Sequence, residues 1–498
     1  MHRPNDPESG RLPVREKVAW GMGAFGEQLA AGGLNVLFTP IYNIGFGMSS
    51  VLVGWAIAIP RVVDMITDPL MGHISDRHRS RHGRRRPFIF AGTFLMAFSA
   101  ALCYLASPYW SEGKLFAYTL ATCTFFYLMC TIFSVPYSAL GLELTEDYDE
   151  RTDVQKYRMA FASLAIFATP WFYKACLTAG EFIRTRLESG SLTWYGFLLQ
   201  PVAQMAADPG VKVEVLGVRY VAWALAIGII VTALPAALFT REKVHHDIPH
   251  QHHFLRSGWH ALQNHSFRTV CLMIFFVICG MFYMGVFATY ANIFYVCGGD
   301  KSSGATWNGF YGTASGVASL LAALAMPALT RWLDKKKVLM IGLGVSAAAI
   351  GASWFLLNPA YPALQLVIAF IVGGGTGACW MLCGALIADI CDEDELLHGH
   401  RREGIFSAFY GFAVKLAFSG IALTVGYALV FVGYDAGNEK MSPEALTRLR
   451  LFIALVPSVC LLAAMAVFVP YGLSRDRLRE IQEALRLRRA GRYGESGQ

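Results

Sequence analysis

The chain has 498 residues, of which 55% are hydrophobic and only 15% are charged, and its mean hydropathy is +0.43. This composition is much more apolar than that of a soluble globular protein, which excludes an ordinary cytosolic enzyme. The net charge of +7 does not indicate nucleic-acid binding, because the positive residues lie in short segments between apolar runs. We therefore predict an all-α polytopic membrane protein.

A helix needs about 20 apolar residues to cross the hydrocarbon core of a bilayer. Apolar runs predict twelve such spans, at 20–44, 50–75, 87–107, 115–141, 157–180, 219–240, 268–297, 306–330, 337–357, 363–391, 404–432 and 450–472. The termini and every second loop hold 27 of the 42 lysines and arginines, whereas the opposite loops hold 7. The positive-inside rule then places both termini in the cytoplasm. We expect the protein to lie in the cell (inner) membrane.

The segment 241–267 contains seven histidines and divides the chain into two predicted six-helix bundles, 1–240 and 268–472, with a basic tail at 473–498. A metal site in this linker is the less favoured interpretation, because the histidines have no cysteine or carboxylate partners at a fixed spacing. The sequences GHISDRHRSRHGRRRPFIF and TRWLDKKKVLMIG occupy corresponding positions in the two halves, each as a charged turn between helices. Such an echo is typical of the internal repeats of secondary transporters.

Ionisable residues inside the predicted spans need a functional or structural reason, because a charge at the bilayer centre costs about 2.5–3.5 kcal/mol. Asp64 and Asp68 are four residues apart on the second span, so they share one helix face, and Arg61 lies one turn before them. Counting about 1.5 Å per residue from the nearest span ends places Lys415 and Thr131 at a similar depth. Two carboxylates with a nearby lysine and hydroxyl suit a monovalent cation or a proton. A buried ion-pair network that only holds helices together is the alternative.

The order and length of four motifs carry a family resemblance. DPLMGHISDRHRSRHGRRRP follows the second span, VPYSALGLELTEDYDERTDVQKYR follows the fourth, ALIADICDEDELLHGHRREGIFSAFYGFAVK covers the tenth and eleventh, and YDAGNEKMSPEALTRLRLFIALVP precedes the twelfth. In these motifs the chain resembles the glycoside-pentoside-hexuronide:cation symporters, which are melibiose-carrier-like members of the major facilitator superfamily. The resemblance implies two pseudo-symmetric six-helix bundles. It also implies symport of a sugar or glycoside with Na+ or H+ by alternating access, without an enzymatic activity or a cofactor other than the coupling ion.

The resemblance also implies roles for individual residues. The cation-binding positions fall on Asp64, Asp68 and Thr131, with Thr67 beside them, and the coupling positions on Lys415 and Arg61. The sugar-side tryptophan falls on Trp380. Two family aspartates and a second tryptophan are replaced by Gln28, Ser134 and Ser138, and Asn35 lies on the same helix as Gln28. The cation site therefore looks intact while the sugar site looks rebuilt, which puts galactoside specificity in doubt.

Charged residues at the predicted cytoplasmic turns are candidates for a gate. We expect Asp76, Arg77, Arg81 and Arg84 to pair with Asp392 and Glu395 of the other half, although solvated charges that only fix topology are equally compatible with the pattern. In the tail, Leu478, Ile481 and Leu485 share one face of a basic helix, which is typical of an interfacial helix on an anionic leaflet. The external segment 181–218 is long enough to cap the entrance.

Two alternatives differ in what the chain does. A carrier of a lysophospholipid or another amphiphile would use the same fold with a less polar cavity. An intramembrane enzyme would need a nucleophile with a base, or a metal pair, and the deep helix positions contain no such set. The expected partners are a small-molecule substrate, a monovalent cation and the lipid bilayer; we expect a monomer that binds no nucleic acid.

Overall fold

The computed structural model describes residues 12–145, 148–189, 196–241, 262–398, 403–435 and 440–495. Within these ranges the regular structure is helical and contains no strand. Residues 242–261, which hold most of the histidine-rich linker, lie outside the described ranges. Among the residues that the structure describes, no group of three or more His, Cys, Asp and Glu side chains could hold a metal ion.

The helices follow one another as α1 (Val14–Thr39), α2 (Ser50–Arg77), α3 (Arg86–Leu102), α4 (Glu112–Glu143), α5 (Tyr148–Ala168), α6 (Phe172–Glu188), α7 (Gly196–Ala207), α8 (Val213–Phe239), α9 (His265–Tyr290), α10 (Lys301–Trp332), α11 (Lys335–Gly351), α12 (Ser353–Leu356), α13 (Gln365–His398), α14 (Glu403–Val432), α15 (Pro443–Phe468) and α16 (Arg475–Glu495). Short 3-10 helices occur at Thr169–Trp171 and Pro362–Leu364.

Each of the twelve predicted spans coincides with a helix or with a helix pair joined by a short helical turn. Nine helices in the described ranges are long and apolar enough to cross a membrane, judged by length and composition. The other three predicted spans correspond to α1, α3 and α11. The prediction of an all-α polytopic membrane protein is therefore confirmed.

The first helix of each predicted half ends in the same unusual way. A six-residue π-helix at Pro40–Gly45 follows α1, and another at Ala291–Val296 follows α9. A π-helix widens the backbone turn and is rare, so its occurrence at corresponding positions reflects the internal repeat. The fifth predicted span is instead divided at Pro170, where a proline has no N–H to continue the α-helical ladder.

By proximity of Cα atoms, the chain divides into two compact units. The first unit comprises Met1–Asp247, Thr289–Thr313 and Ala422–Leu446. Inside it, α1 packs against α5 and α8, α2 packs against α4, and α3 packs against α4 and α8. The ends of four helices from the second half of the chain, α9, α10, α14 and α15, thus belong to the first unit. The division into halves at 241–267 stays a prediction.

The second unit comprises Ile248–Ala288, Ala314–Ile421 and Thr447–Gln498. In this unit α11 and α16 both pack against α13. Gly373 and Gly377 of α13 lie directly against Ser315 and Ser319 of α10, so closely that a Cβ at either glycine would overlap the serine. These small residues, which the sequence shows as GGGTGA and GTASGVAS, let the two helix backbones approach each other.

The basic tail differs from the sequence-based expectation. Leu478, Ile481 and Leu485 do share one face of α16, but this face is buried, and α16 packs against α13. The prediction that these residues rest on a lipid leaflet was wrong. Apolar periodicity indicates only that a face leaves water, and here protein rather than lipid covers it.

The segment 181–218, which the sequence predicts to be external, forms structure of its own in the first unit. The second half of α7 contributes Val202, Met205 and Ala206 to an apolar cluster with Ile183 of α6 and Leu216 of α8. Lys212 also donates a hydrogen bond to the Ile44 carbonyl at 2.7 Å. The described residues of this segment are therefore held on the ends of α6 and α8.

Candidate functional site

Thr131 joins the two aspartates of α2. Its hydroxyl lies 2.7 Å from Asp64 Oδ1 and 3.2 Å from Asp68 Oδ1. Asp64 and Thr131 are buried, at 8% and 2% exposure, and α2 packs against α4 in the first unit. The helical spacing of the acids and the packing of α4 thus bring together the residues that the sequence assigned to cation binding.

One hydroxyl cannot satisfy all of the acceptors around it. Thr131 also lies 3.1 Å from the Tyr127 carbonyl, so three acceptors surround a group that has a single hydrogen to donate. The hydroxyl oxygen keeps acceptor lone pairs, and the carboxylates are acceptors only when ionised. A cluster of hard oxygen ligands with one shared hydrogen can accept a small cation or a proton. Thr67, which was also assigned to this site, lies 3.2 Å from the Asp64 carbonyl and donates to it.

Two prolines interrupt the helix on either side of the acids. Pro60 and Pro69 lie inside α2, and each removes a backbone N–H from the helical ladder. The aspartates therefore sit in a stretch whose backbone hydrogen bonding is incomplete.

Arg61 connects α2 to α1. Its guanidinium donates to Asn35 Oδ1 at 2.5 Å and lies 5.4 Å from the centre of the Tyr127 ring. Arg61 is buried, so its charge acts in a medium of low polarity where such contacts are strong. The sequence assigned Arg61 to coupling and Asn35 to substrate binding, and the structure joins these two side chains.

The remaining predicted site residues lie in both units. Gln28 of α1 and Ser134 and Ser138 of α4 are partly buried in the first unit. Trp380 of α13, which is 40% exposed, and the partly buried Lys415 of α14 belong to the second unit. Their roles in substrate binding and coupling stay predictions.

Sequence reasoning missed a charged pair beside Gln28. Glu27 Oε2 lies 3.7 Å from an Arg158 guanidinium nitrogen, and the Arg158 guanidinium lies 5.8 Å from the ring centres of both Trp20 and Tyr137. Glu27 and Arg158 stand inside the predicted spans 20–44 and 157–180. The rule on intramembrane charges that selected Asp64 would therefore also have selected Glu27, whereas Arg158 lies only one residue inside its predicted span.

The charged turn after α2 has partners inside the first unit. Arg85 bridges Asp76 at 2.7 Å and Glu143 at 2.9 Å, and Arg84 reaches Glu143 at 2.8 Å. In the second unit, Lys335 at the start of α11 contacts Asp389 of α13 at 2.6 Å. The two turns that echo each other in the sequence thus each place a basic side chain on a carboxylate of a neighbouring helix. The expected pairing of Asp76, Arg77, Arg81 and Arg84 with Asp392 and Glu395 stays a prediction.

Comparison with known proteins identifies the class to which this fold and these sites belong. A family described as MFS/sugar transport protein matches residues 19–475, and the chain belongs to this family. The match confirms the major facilitator fold and the resemblance to the cation symporters of this superfamily. The protein is therefore a multi-pass membrane protein of a transporter family.

Individual relatives also match the chain along nearly its whole length. The chain is 24% identical to the putative glycoside/cation symporter YagG of Escherichia coli, over 96% of each chain. It is 25% identical to the sodium-dependent lysophosphatidylcholine symporter 1-A of Danio rerio, over 94% of this chain and 87% of that one. Among solved structures, a bacterial homolog of the human lysosomal transporter Spinster, crystallised in an inward-facing and unoccupied conformation, matches with a TM-score of 0.65 at 15% identity. This match covers 95% of this chain and 98% of that one, and it supports the fold alone.

Proposed function

We propose that this protein is a secondary active transporter that symports a sugar or glycoside with Na+ or H+ by alternating access. The observation that carries the proposal is the contact of the Thr131 hydroxyl with both Asp64 and Asp68, inside a member of a sugar-transport family. The proposal makes the chain a carrier rather than an enzyme. It places the protein as a monomer in the cell (inner) membrane, with both termini in the cytoplasm.

The two carboxylates and the hydroxyl supply the coupling. Two negative charges on one helix face repel each other, and a bound Na+ or a shared proton relieves this repulsion. Carboxylate and hydroxyl oxygens are the hard ligands that alkali and alkaline-earth cations prefer. Lys415 has the complementary role of a positive charge that holds the empty carboxylates and yields to the cation.

Arg61 and Asn35 transmit the state of the cation site to the substrate site. Neutralising the acids weakens the field on Arg61, which lies one helical turn away on α2, and Arg61 holds the Asn35 amide on α1. Asn35 and Gln28 are two helical turns apart, so they share a face of α1. We assign substrate binding to this face and to Ser134, Ser138 and Trp380, because neutral hydrogen-bonding groups and an aromatic ring suit a hydroxylated substrate.

Uptake into proteoliposomes tests the proposal. Radiolabelled glycosides are offered with a Na+ gradient or a pH gradient imposed separately, and one of the two gradients should drive accumulation. Asp64→Asn and Asp68→Asn should each abolish gradient-driven accumulation, because either change removes charge that the cation must neutralise. Asp208→Asn, at an exposed turn before α8, is the matched control and should accumulate substrate like the wild type. Accumulation by both site variants at the wild-type ratio would contradict the assignment.

A lysophospholipid is the second candidate substrate, because a relative that aligns with nearly the whole chain is named for sodium-dependent lysophosphatidylcholine symport. The same liposomes distinguish the two candidates by competition between a glycoside panel and lysophosphatidylcholine. Inhibition of glycoside uptake by other glycosides, with no effect of lysophosphatidylcholine below its micellar concentration, supports the sugar. Cation-driven movement of lysophosphatidylcholine alone would support the amphiphile.

A further inference from the structure

Parts of four helices from the second half of the chain belong to the first compact unit. Residues Thr289–Thr313 and Ala422–Leu446 form this unit together with Met1–Asp247. The contact is tight, because a Cβ at Gly54 of α2 would lie 2.7 Å from the Ala422 carbonyl oxygen. The backbone of α14 at Ala422 therefore lies directly against α2.

A buried ion pair lies at the edge of this packing. Glu214, in the first turn of α8, is 1% exposed, and its Oε1 lies 2.7 Å from Nζ of Lys301. Lys301 is the first residue of α10 and keeps 30% of its side chain exposed. A buried carboxylate needs a charged partner, and the partner here comes from the other half of the chain.

Hydrogen bonds connect the same segments at three further points. The Tyr290 hydroxyl donates to Asn43 Oδ1 at 2.6 Å, and Lys174 reaches the Ser302 carbonyl at 3.3 Å. The Trp171 indole N–H donates to the Thr313 hydroxyl at 3.1 Å. Thr313 lies twelve residues after Lys301, so the contacts extend about 18 Å along α10.

One of these contacts, between Tyr290 and Asn43, lies at one end of the first unit. Asn43 donates to Ser50, the first residue of α2, at 2.9 Å, whereas Asp76 stands at the opposite end of α2. The end of the unit that carries Ser50 is therefore closed over by Thr289–Thr313 and Ala422–Leu446. A carrier that works by alternating access must open this end in part of its cycle.

We propose that the Glu214–Lys301 ion pair is a latch that holds this end closed and breaks in every transport cycle. The proposal rests on the alternating-access function proposed above. The exposure of the two partners suits a reversible contact, because Lys301 can regain water when it leaves while Glu214 stays in its helix turn. The neighbouring hydrogen bonds join two neutral groups or, from Lys174 to Ser302, a cation and neutral oxygens, whereas the Glu214–Lys301 contact joins two opposite charges and is therefore the strongest of the set.

Hydrogen–deuterium exchange of the full-length protein in lipid nanodiscs tests the latch without a substrate. Lys301→Met and Glu214→Gln should each speed exchange in the peptides covering 289–313 by about tenfold, because local opening becomes easier. Lys335→Met is the matched control, since the Lys335–Asp389 pair has nearly the same distance and exposure. It should leave exchange in 289–313 unchanged. Unchanged exchange in both latch variants, or the same increase in the control, would overturn the proposal.

A cross-link tests whether the pair must separate during transport. Glu214→Cys/Lys301→Cys should form a disulfide on oxidation, and uptake and counterflow should both stop and recover after reduction. The oxidised wild type, which retains all eleven native cysteines, is the control. A cross-linked carrier that transports at the uncross-linked rate would overturn the latch. Because the exchange measurement needs no substrate, a wrong substrate assignment leaves that result intact.

Discussion

Replacing Thr131 by valine is the sharpest test of the cation site. The change keeps the branched shape of the side chain and removes only the hydroxyl that contacts Asp64 Oδ1 and Asp68 Oδ1. A hydrogen bond to a charged group contributes about 1.5–3 kcal/mol, and at 2% exposure Thr131 has little water to replace it. If the hydroxyl contributes that much to the bound state, the half-saturating cation concentration should rise about 10- to 150-fold.

The assay is initial uptake in proteoliposomes, titrated with Na+ at fixed pH and with H+ in the absence of Na+. Thr131→Ser retains the hydroxyl and should stay close to the wild type. Thr122→Val is the matched control, because Thr122 is buried on the same helix and its hydroxyl donates to the Tyr118 backbone carbonyl at 2.9 Å. Wild-type cation dependence in Thr131→Val, or equal losses in the valine and serine variants, would refute the proposed ligand role.

Three further predictions concern other parts of the carrier. Lys415→Gln removes the proposed counter-charge, so uptake measured against pH and Na+ should shift towards H+ dependence, or counterflow should persist without net accumulation; profiles that match the wild type would leave Lys415 with a structural role only. Trp380→Ala should weaken apparent substrate affinity about tenfold with an unchanged cation titration, because an aromatic platform is lost; the opposite pattern would reverse its role. A hydrogen bond from the Ser303 side chain, with others from the backbone N–H groups of Ser302 and Ser303, lowers the pKa of Asp300 below its ordinary value of 3.8. The ionised carboxylate therefore stabilises the fold fully above about pH 4, and this stabilisation is lost as pH falls through the lowered pKa. Asp300→Asn should therefore lower Tm more at pH 7 than at pH 3, and equal shifts at both pH values would contradict this reasoning.

The sequence alone determined the membrane architecture, because the length of each apolar run can be read from the sequence and compared directly with the thickness of the bilayer. Each predicted span lies on a helix of the structure, and the echo of the two charged turns reappears as the ion pairs of Arg84 and Lys335. The spacing of Asp64 and Asp68 likewise predicted a shared face, since helical geometry fixes which neighbours on one helix face the same way.

Only the tertiary structure decided which helices meet. The sequence could place Thr131 at the depth of Asp64 but could not show that one hydroxyl contacts both acids. The hydropathy of α4 does not determine how far this helix is rotated about its axis. It could find the apolar face of α16 but not the protein surface that covers it, and it gave no indication that Lys301 reaches Glu214, 87 residues earlier in the chain. Apolar periodicity indicates which residues of a helix are buried and which share a face. The partners of a residue on other helices depend instead on the packing of the whole chain.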